Sequence, residues 1–188
     1  MAHPPWNDWY HITGGTYGSW LRGDARGWRA RHHREHVEGD YQNPPPPGLY
    51  DNLLESSKSL MSRDVVRLSP EARSLACDVF ARALAFHSVE VVIIAISAMH
   101  YHVLARFRDH QPRKWIGIAK NRSARALSES GLAEPGGVWA VRCRCWPIKD
   151  RAHQVATARY IAKHAQRGAA IWRMPARGAV QRAARVDE

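Results

Sequence analysis

Two apolar segments joined by a very short connection constrain the fold of this chain more than any other feature. Residues 89–97 are rich in Val and Ile, and residues 99–107 (MHYHVLARF) alternate in character, so each segment predicts a β-strand. The gap at Ser97 and Ala98 has room only for a hairpin turn. The sequence therefore predicts an antiparallel hairpin within a buried sheet.

The segments around this hairpin predict further strands and helices. Residues 9–21 are rich in aromatic and β-branched residues but contain three glycines, which indicates a strand with a bulge or a close backbone approach. Ser69 and Pro70 have the character of a helix start, and Asp150 can cap a last helix. Helices are predicted at about 70–86, 113–130 and 151–165, and another strand at 137–146. This order predicts an α+β fold, a ferredoxin-like or RRM-like antiparallel sheet with helices on one face.

The length of 188 residues indicates a single domain with appended segments. We expect the domain to span residues 1–172. Within it, residues 22–62 are basic, contain four consecutive prolines at 44–47 and lack periodicity, so they predict a long irregular excursion. Residues 173–188 form an Arg-rich tail that we expect to be flexible.

The charge balance favours a polyanionic partner. The chain has 28 Lys and Arg residues against 17 Asp and Glu, a formal net charge of +11, and 23 of the basic residues are Arg. Nucleic acid is the simplest partner for such a surface. A genome that encodes Arg freely would explain the excess of Arg over Lys, but it would not explain the net charge.

Other classes of protein fit the sequence poorly. The longest mostly apolar run, residues 91–99, is about half the roughly 20 residues that a membrane helix needs. The first ten residues lack the basic stretch and apolar core of a secretory signal. Three Cys residues cannot form a disulfide framework and fit a reducing compartment. We therefore expect a cytoplasmic protein without a membrane partner.

A His-x-His triplet on the second hairpin strand is the strongest chemical signal. Strand alternation places His100 and His102 on one face, where two imidazoles can share a metal ion. Tyr160 and His164 are four residues apart on the last predicted helix and therefore share a helical face. If that helix covers the sheet near His102, the site has three nitrogen ligands and a tyrosine nucleophile. The alternatives are two chance histidines in a His-rich chain and a core aromatic at position 160.

Basic residues interleaved with tryptophans suggest a surface for DNA. Trp20 and Trp28 provide stacking surfaces among the arginines of the excursion, and further cations lie on the second long helix and on the strand at 137–146. Solvated helix faces have a similar composition, so phosphate contact remains an interpretation for each residue. The candidate DNA-binding residues are Arg22, Arg26, Arg29, Arg31, Lys114, Lys120, Arg142 and Arg144.

These segments resemble a known family, the single-tyrosine transposases. MHYHVLARF at 99–107 is similar to their His-hydrophobe-His (HUH) strand, and ARYIAKHAQ at 158–166 is similar to their nucleophile helix. TYGSWLRGDARGW at 16–28 resembles the start of some REP-associated members. The resemblance covers about residues 9–29 and 90–172. Two positions depart from the family pattern, with Tyr101 in place of an aliphatic residue and His164 in place of an amide side chain.

The resemblance implies a transposase that cleaves and rejoins single-stranded DNA. Tyr160 would be the nucleophile and form a 5′-phosphotyrosine, and His100, His102 and His164 would hold a divalent metal, Mg²⁺ or Mn²⁺. Three imidazoles suit a softer ion such as Mn²⁺. The implied substrate is hairpin-forming DNA, and a homodimer is left open. Two other functions remain as alternatives, a non-catalytic nucleic-acid-binding module of the same fold and a small metal-dependent hydrolase.

Overall fold

The computed structural model describes residues 4–29, 36–38, 45–135 and 137–175. Strands and helices are interspersed along the chain. They are β1 (Trp9–Thr16), β2 (Gly27–Arg29), β3 (His36–Glu38), α1 (Asp51–Ser59), α2 (Pro70–Phe86), β4 (Glu90–Ile96), β5 (His100–Arg106), α3 (Pro112–Glu129), β6 (Trp139–Pro147), α4 (Arg151–Ala162) and β7 (Ala170–Arg173).

Five of the strands form one sheet in the order β6-β1-β5-β4-β7, and every neighbouring pair is antiparallel. The predicted hairpin is β4 and β5, and β5 is the central strand of the sheet. The α+β class with an antiparallel sheet is thus confirmed. The predicted bulge is also present, as a register shift between Gly14 and Thr16 where β1 pairs with β6.

Tyr101 explains why Gly14 lies in the middle of a strand. A Cβ added at Gly14 would lie 2.5 Å from the Tyr101 hydroxyl oxygen, because the two residues are direct partners in the β1–β5 register. The Tyr101 ring is fully buried and packs against Phe80 and Trp139, with ring centroids 5.4 Å away in both cases. Tyr101 therefore points into the core, away from the face that carries His100 and His102.

Helices cover both faces of the sheet. The two long helices α2 and α3 pack on the face of Tyr101 and enclose the main core, as expected. Helix α4 lies on the opposite face, which differs from an arrangement with all helices on one side. The reason is that Ile161 of α4 finds its apolar partners there, in a second core cluster with Ile93, Ala95, Leu104 and Ile148.

The predicted helix starts are confirmed by their caps. The Ser69 hydroxyl accepts a hydrogen bond from the backbone N–H of Ala72, and Pro70 is the first residue of α2. The Asp150 carboxylate accepts one from the backbone N–H of His153 at the start of α4. These caps satisfy N–H groups that have no partner within the helix.

Two segments are more regular than the sequence suggests. The excursion at 22–62 contains α1 and the strands β2 and β3, which pair with each other, so it is not wholly irregular. The chain beyond Gly168 forms β7, which adds a fifth strand beside β4. At four residues, β7 is too short for its pattern to be distinct in the sequence. Residues 176–188 of the predicted tail lie outside the described part of the chain.

Among the described residues, no helix combines the length and the apolar character that a membrane span requires.

Candidate metal centre and tyrosine

The structure brings His100, His102 and His164 together. His100 and His102 lie on one face of β5, opposite the face of Tyr101, as strand alternation predicts. One ring nitrogen from each of the three histidines lies within 4.8 Å of the other two. The His164 ring centroid is 4.5 Å from that of His102 and 5.2 Å from that of His100. A single ion can therefore reach all three side chains.

Helix α4 positions both Tyr160 and His164. Ile161 anchors the helix in the second core cluster, and His164 lies just beyond α4 in the turn 163–167, where it is buried. The Tyr160 ring stands edge-on to three imidazoles, with centroid distances of 5.1 Å to His164, 5.5 Å to His102 and 6.1 Å to His11. Tyr160 keeps 51% of its surface exposed, so a substrate can approach it.

Hydrogen bonds orient the two histidines of β5. The Nδ1 atom of His100 lies 2.7 Å from the Ser97 hydroxyl, and the Nδ1 atom of His102 lies 3.0 Å from Nε2 of His11. With Nδ1 engaged in this way, each ring has Nε2 left for a metal ion. Partners of this kind fix the tautomer and the ring orientation of metal-binding histidines.

His11 is a site residue that reasoning from the sequence missed. It lies on β1, and the register that pairs Thr13 with His102 and His11 with Leu104 places it on the same face as the cluster. Its ring stacks on that of His102 with centroids 5.2 Å apart. The alternation of β1 was visible in the sequence, but the pairing of β1 with β5 was not.

Burial keeps the imidazoles in the neutral form that binds metals. Burial, with smaller contributions from neighbouring histidines and, at His100, from Arg26 and Arg167, lowers the pKa of His100 and of His11 to about 4. Burial and the neighbouring histidines lower the pKa of His102 to about 2, and burial also lowers the pKa of His164. Arg167 acts in the same direction on His100 and His164, so this cation lies close to the cluster.

The three histidines fit a divalent metal ion. Three neutral imidazole nitrogens are a ligand set that favours transition-metal ions such as Zn²⁺ over Mg²⁺, which prefers oxygen. Nε2 of His164 is buried and has no hydrogen-bond partner among the described residues. A bound ion would satisfy this nitrogen, so the cluster forms a site that can hold a metal.

The predicted DNA-binding residues of β6 lie on the same face as the cluster. Arg144 is exposed and pairs in register with Thr13, which in turn pairs with His102. Arg142 is exposed two residues earlier on the same strand. The next residue in this alternating series, Trp146, pairs with His11 and is 51% exposed. Helix α4 covers the β4–β5 half of the face, and Arg142, Arg144 and Trp146 at the β6 edge are exposed in the described part of the chain.

The composition of the excursion suggests a surface of tryptophans and arginines for DNA, and the structure shows how these side chains contact one another. Trp28 is buried, with Arg22 lying over its ring at 5.1 Å, and it offers no stacking surface. Arg26 lies 4.5 Å from the Trp20 ring centroid and forms an ion pair with Asp24. Arg26 also lowers the pKa of His100, which places it near the cluster. Strand β2 includes Arg29, whose side chain is outside the description, and Arg31 lies outside the described residues altogether.

The two lysines of α3 have different environments. Lys114 is exposed, with its ammonium 4.4 Å from the Trp115 ring centroid. Lys120, in contrast, is only 8% exposed and donates hydrogen bonds to the backbone carbonyls of Ala140 and Val141. The ammonium of Lys120 is thus used inside the protein to join α3 to β6, which speaks against the predicted contact with DNA.

Fold and site together define an antiparallel α+β domain with a three-histidine cluster beneath an exposed tyrosine. No protein-family model matches the sequence, and no curated protein matches it significantly. Among solved structures, the chain is similar in fold to a REP-associated tyrosine transposase bound to a REP hairpin, with a TM-score of 0.47 and 11% sequence identity. That similarity covers 89% of this chain and 72% of the other chain.

Proposed function

We propose that this protein is a DNA strand transferase that cleaves and rejoins single-stranded DNA through a 5′-phosphotyrosine intermediate at Tyr160. One observation carries the proposal. Tyr160, half-exposed on α4, stands edge-on to the His102 and His164 rings at centroid distances of 5.5 Å and 5.1 Å, beside a cluster that can hold a divalent ion. A core aromatic would be buried, whereas Tyr160 is half-exposed beside the histidine cluster.

The residues divide the chemistry between them. The Tyr160 hydroxyl oxygen attacks phosphorus and forms the phosphotyrosyl bond, while the bond from phosphorus to the 3′ oxygen breaks. The tyrosine loses one proton and the leaving 3′ oxygen gains one, so a 3′-hydroxyl is released. His100, His102 and His164 would hold the divalent ion, which would supply Lewis-acid polarisation of the phosphate when bound. Attack by another 3′-hydroxyl reverses the step and rejoins strands without a nucleotide cofactor.

The charge around the cluster supports a phosphate substrate. Arg26 and Arg167 both act on the cluster electrostatically, and both lower the pKa of His100. The same positive field attracts a phosphodiester. The exposed cation Arg144, in the same row as Thr13 and His102, extends it away from the cluster along the same face, where a longer polyanion would lie.

A denaturing gel of the protein with labelled single-stranded DNA and Mn²⁺ tests the proposal. We expect a covalent protein–DNA band with wild-type protein and none with Tyr160→Phe. Tyr101→Phe is the matched control and should keep the band, because the Tyr101 ring is fully buried on the opposite face of the sheet. Linkage of the DNA to another tyrosine would contradict the assignment.

The same experiment separates the two alternative functions. A metal-dependent hydrolase would cleave DNA with Tyr160→Phe as fast as with the wild type and would form no covalent band. A non-catalytic binding module would bind DNA but neither cleave it nor form the band with any divalent ion. Either result would overturn the strand-transferase proposal.

A further inference from the structure

The β6 edge of the sheet face beside the histidine cluster is exposed in the described part of the chain and carries arginines and a tryptophan. We call it the open face and define it by Thr13 on β1 and by Arg142, Arg144 and Trp146 on β6. Strand alternation places the β6 residues on one side, while Cys143 and Cys145 pack toward the main core. The two arginines are exposed, and β6 contains no acidic residue. The open face is therefore positive.

Trp146 is the unusual residue of the open face. Half of its surface is exposed, so it presents a large ring with an apolar body on the face beside the cluster. Trp146 lies on an edge strand and pairs directly with His11. His11 in turn contacts His102 and Tyr160. One residue thus separates the exposed indole from both the metal site and the tyrosine.

The distances suit a nucleotide next to the one that reacts. Neighbouring strands lie about 4.8 Å apart, so β6 is roughly 10 Å from β5 across β1. A strand of DNA with one phosphate at Tyr160 and the cluster has its next base within reach of β6. Arg144, which lies in the same row as Thr13 and His102, is placed to contact the backbone of that nucleotide.

We propose that the open face binds single-stranded DNA and that Trp146 stacks on a base adjoining the scissile phosphate. Indole stacking tolerates any base, and arginines beside an aromatic ring are typical of single-strand binding. Duplex DNA keeps its base faces stacked inside and offers none to an indole. This inference rests on the proposed function for the position of the scissile phosphate, but the binding that it describes can be measured separately.

Fluorescence anisotropy with two labelled oligonucleotides tests the inference. One is a thymidine oligonucleotide, and the other has the same backbone with abasic sites. We expect Trp146→Ala to weaken binding of the thymidine strand roughly 5- to 150-fold, the range given by the loss of one stacked base. Binding of the abasic strand should change little, and Trp146→Phe should keep most of the affinity.

Two comparisons separate stacking from charge and from misfolding. Arg144→Ala should reduce the slope of log K against log salt by about 0.7, whereas Trp146→Ala should leave that slope unchanged. Val141→Ala is the matched control, because Val141 is 94% exposed on the same strand. It should bind like the wild type.

Three results would overturn the inference. They are unchanged binding by Trp146→Ala, an equal loss for thymidine and abasic strands, and a wild-type protein that binds no single-stranded DNA. Covalent DNA linkage by Trp146→Ala with unchanged affinity would leave the proposed function standing and remove only this role of Trp146. If the wild-type protein binds the thymidine strand more tightly than the abasic strand but forms no covalent link to DNA, the role of Trp146 stands and the proposed function is contradicted.

Discussion

Nε2 of His11 lies 3.0 Å from Nδ1 of His102, and the two rings are stacked. His102 can donate its Nδ1 proton to His11 only if its Nε2 carries a free lone pair. When His102 is the donor in this contact, its Nε2 is free for a metal ion, so we expect metal binding to select this tautomer. His11 acts as a positioning residue for the cluster rather than as a ligand.

We expect His11→Ala to weaken Mn²⁺ or Co²⁺ binding by roughly 10- to 100-fold, the usual cost of removing such a partner. Isothermal titration calorimetry measures the affinity, and Co²⁺ absorption reports the geometry. His11→Gln should recover part of the affinity, because an amide oxygen can accept the same proton. His110→Ala, which changes an exposed histidine outside the cluster, should bind metal normally. Equal affinity for His11→Ala and wild type would contradict the positioning role.

Acid should destabilise the metal-free protein through these buried histidines. Their pKa values are lowered in the folded state, to about 4 for His11 and His100, from about 6.5 in the unfolded chain. Below pH 6.5 the unfolded chain binds more protons than the folded protein, so the free energy of unfolding falls as the pH falls. Each histidine contributes up to about 1.4 kcal/mol per pH unit down to its folded-state pKa.

Urea unfolding with a metal chelator at pH 7.5 and at pH 5.5 measures this dependence. His102→Asn should show a smaller decrease between the two pH values than the wild type, because it has one fewer buried imidazole to protonate. A free energy of unfolding that stays constant over this range would show that the histidines do not couple folding to protons.

Lys120 and Lys114 should respond differently to the same substitution. Lys120→Met removes hydrogen bonds from a charged donor to two carbonyls and should cost about 1–3 kcal/mol of stability, with little effect on DNA affinity. Lys114→Met should leave stability within about 0.5 kcal/mol and weaken DNA binding with a smaller salt slope. Urea unfolding and anisotropy on both variants make the comparison. A Lys120→Met protein with unchanged stability and weaker DNA binding would instead show that Lys120 contacts DNA.

Gly14 and Tyr101 should behave as one packing unit. Gly14→Ala would place a Cβ 2.5 Å from the Tyr101 hydroxyl oxygen, and the ring is held by Phe80 and Trp139. We expect a loss of about 1–3 kcal/mol in the free energy of unfolding. In a Tyr101→Val background the same change should cost less, because the space is empty. A double-mutant cycle measures this coupling, and strict additivity would exclude it.

Much of the site follows from periodicity. The alternation of β5 placed His100 and His102 on one face, and the four-residue spacing placed Tyr160 beside His164; both placements are local and readable in the sequence. His11 was missed because its role depends on the register of β1 against β5, which pairs residues 91 positions apart. Long-range register has no local signal.

The sequence contained a local signal for the buried position of Lys120, which its charge obscured. Lys120 lies at helical spacing between Ile116 and Leu127, with Ser123, on the buried side of α3. Its charge suggested a solvated face, whereas the periodicity indicated the core. Periodicity was the better guide here because the ammonium finds two carbonyl acceptors at the edge of β6.

Strand β7 bears on whether Tyr160, the proposed nucleophile, acts on DNA held by its own chain or by a second copy. Helix α4 begins three residues after β6 at one edge of the sheet, and the chain beyond it pairs with β4 at the other side. The helix is tethered at both ends to its own sheet, so exchanging it between two molecules would require β7 to unpair. Catalysis is therefore expected in cis, within one polypeptide. An equimolar mixture of His102→Ala and Tyr160→Phe proteins should form no covalent DNA adduct, whereas subunit exchange of the helix would restore it.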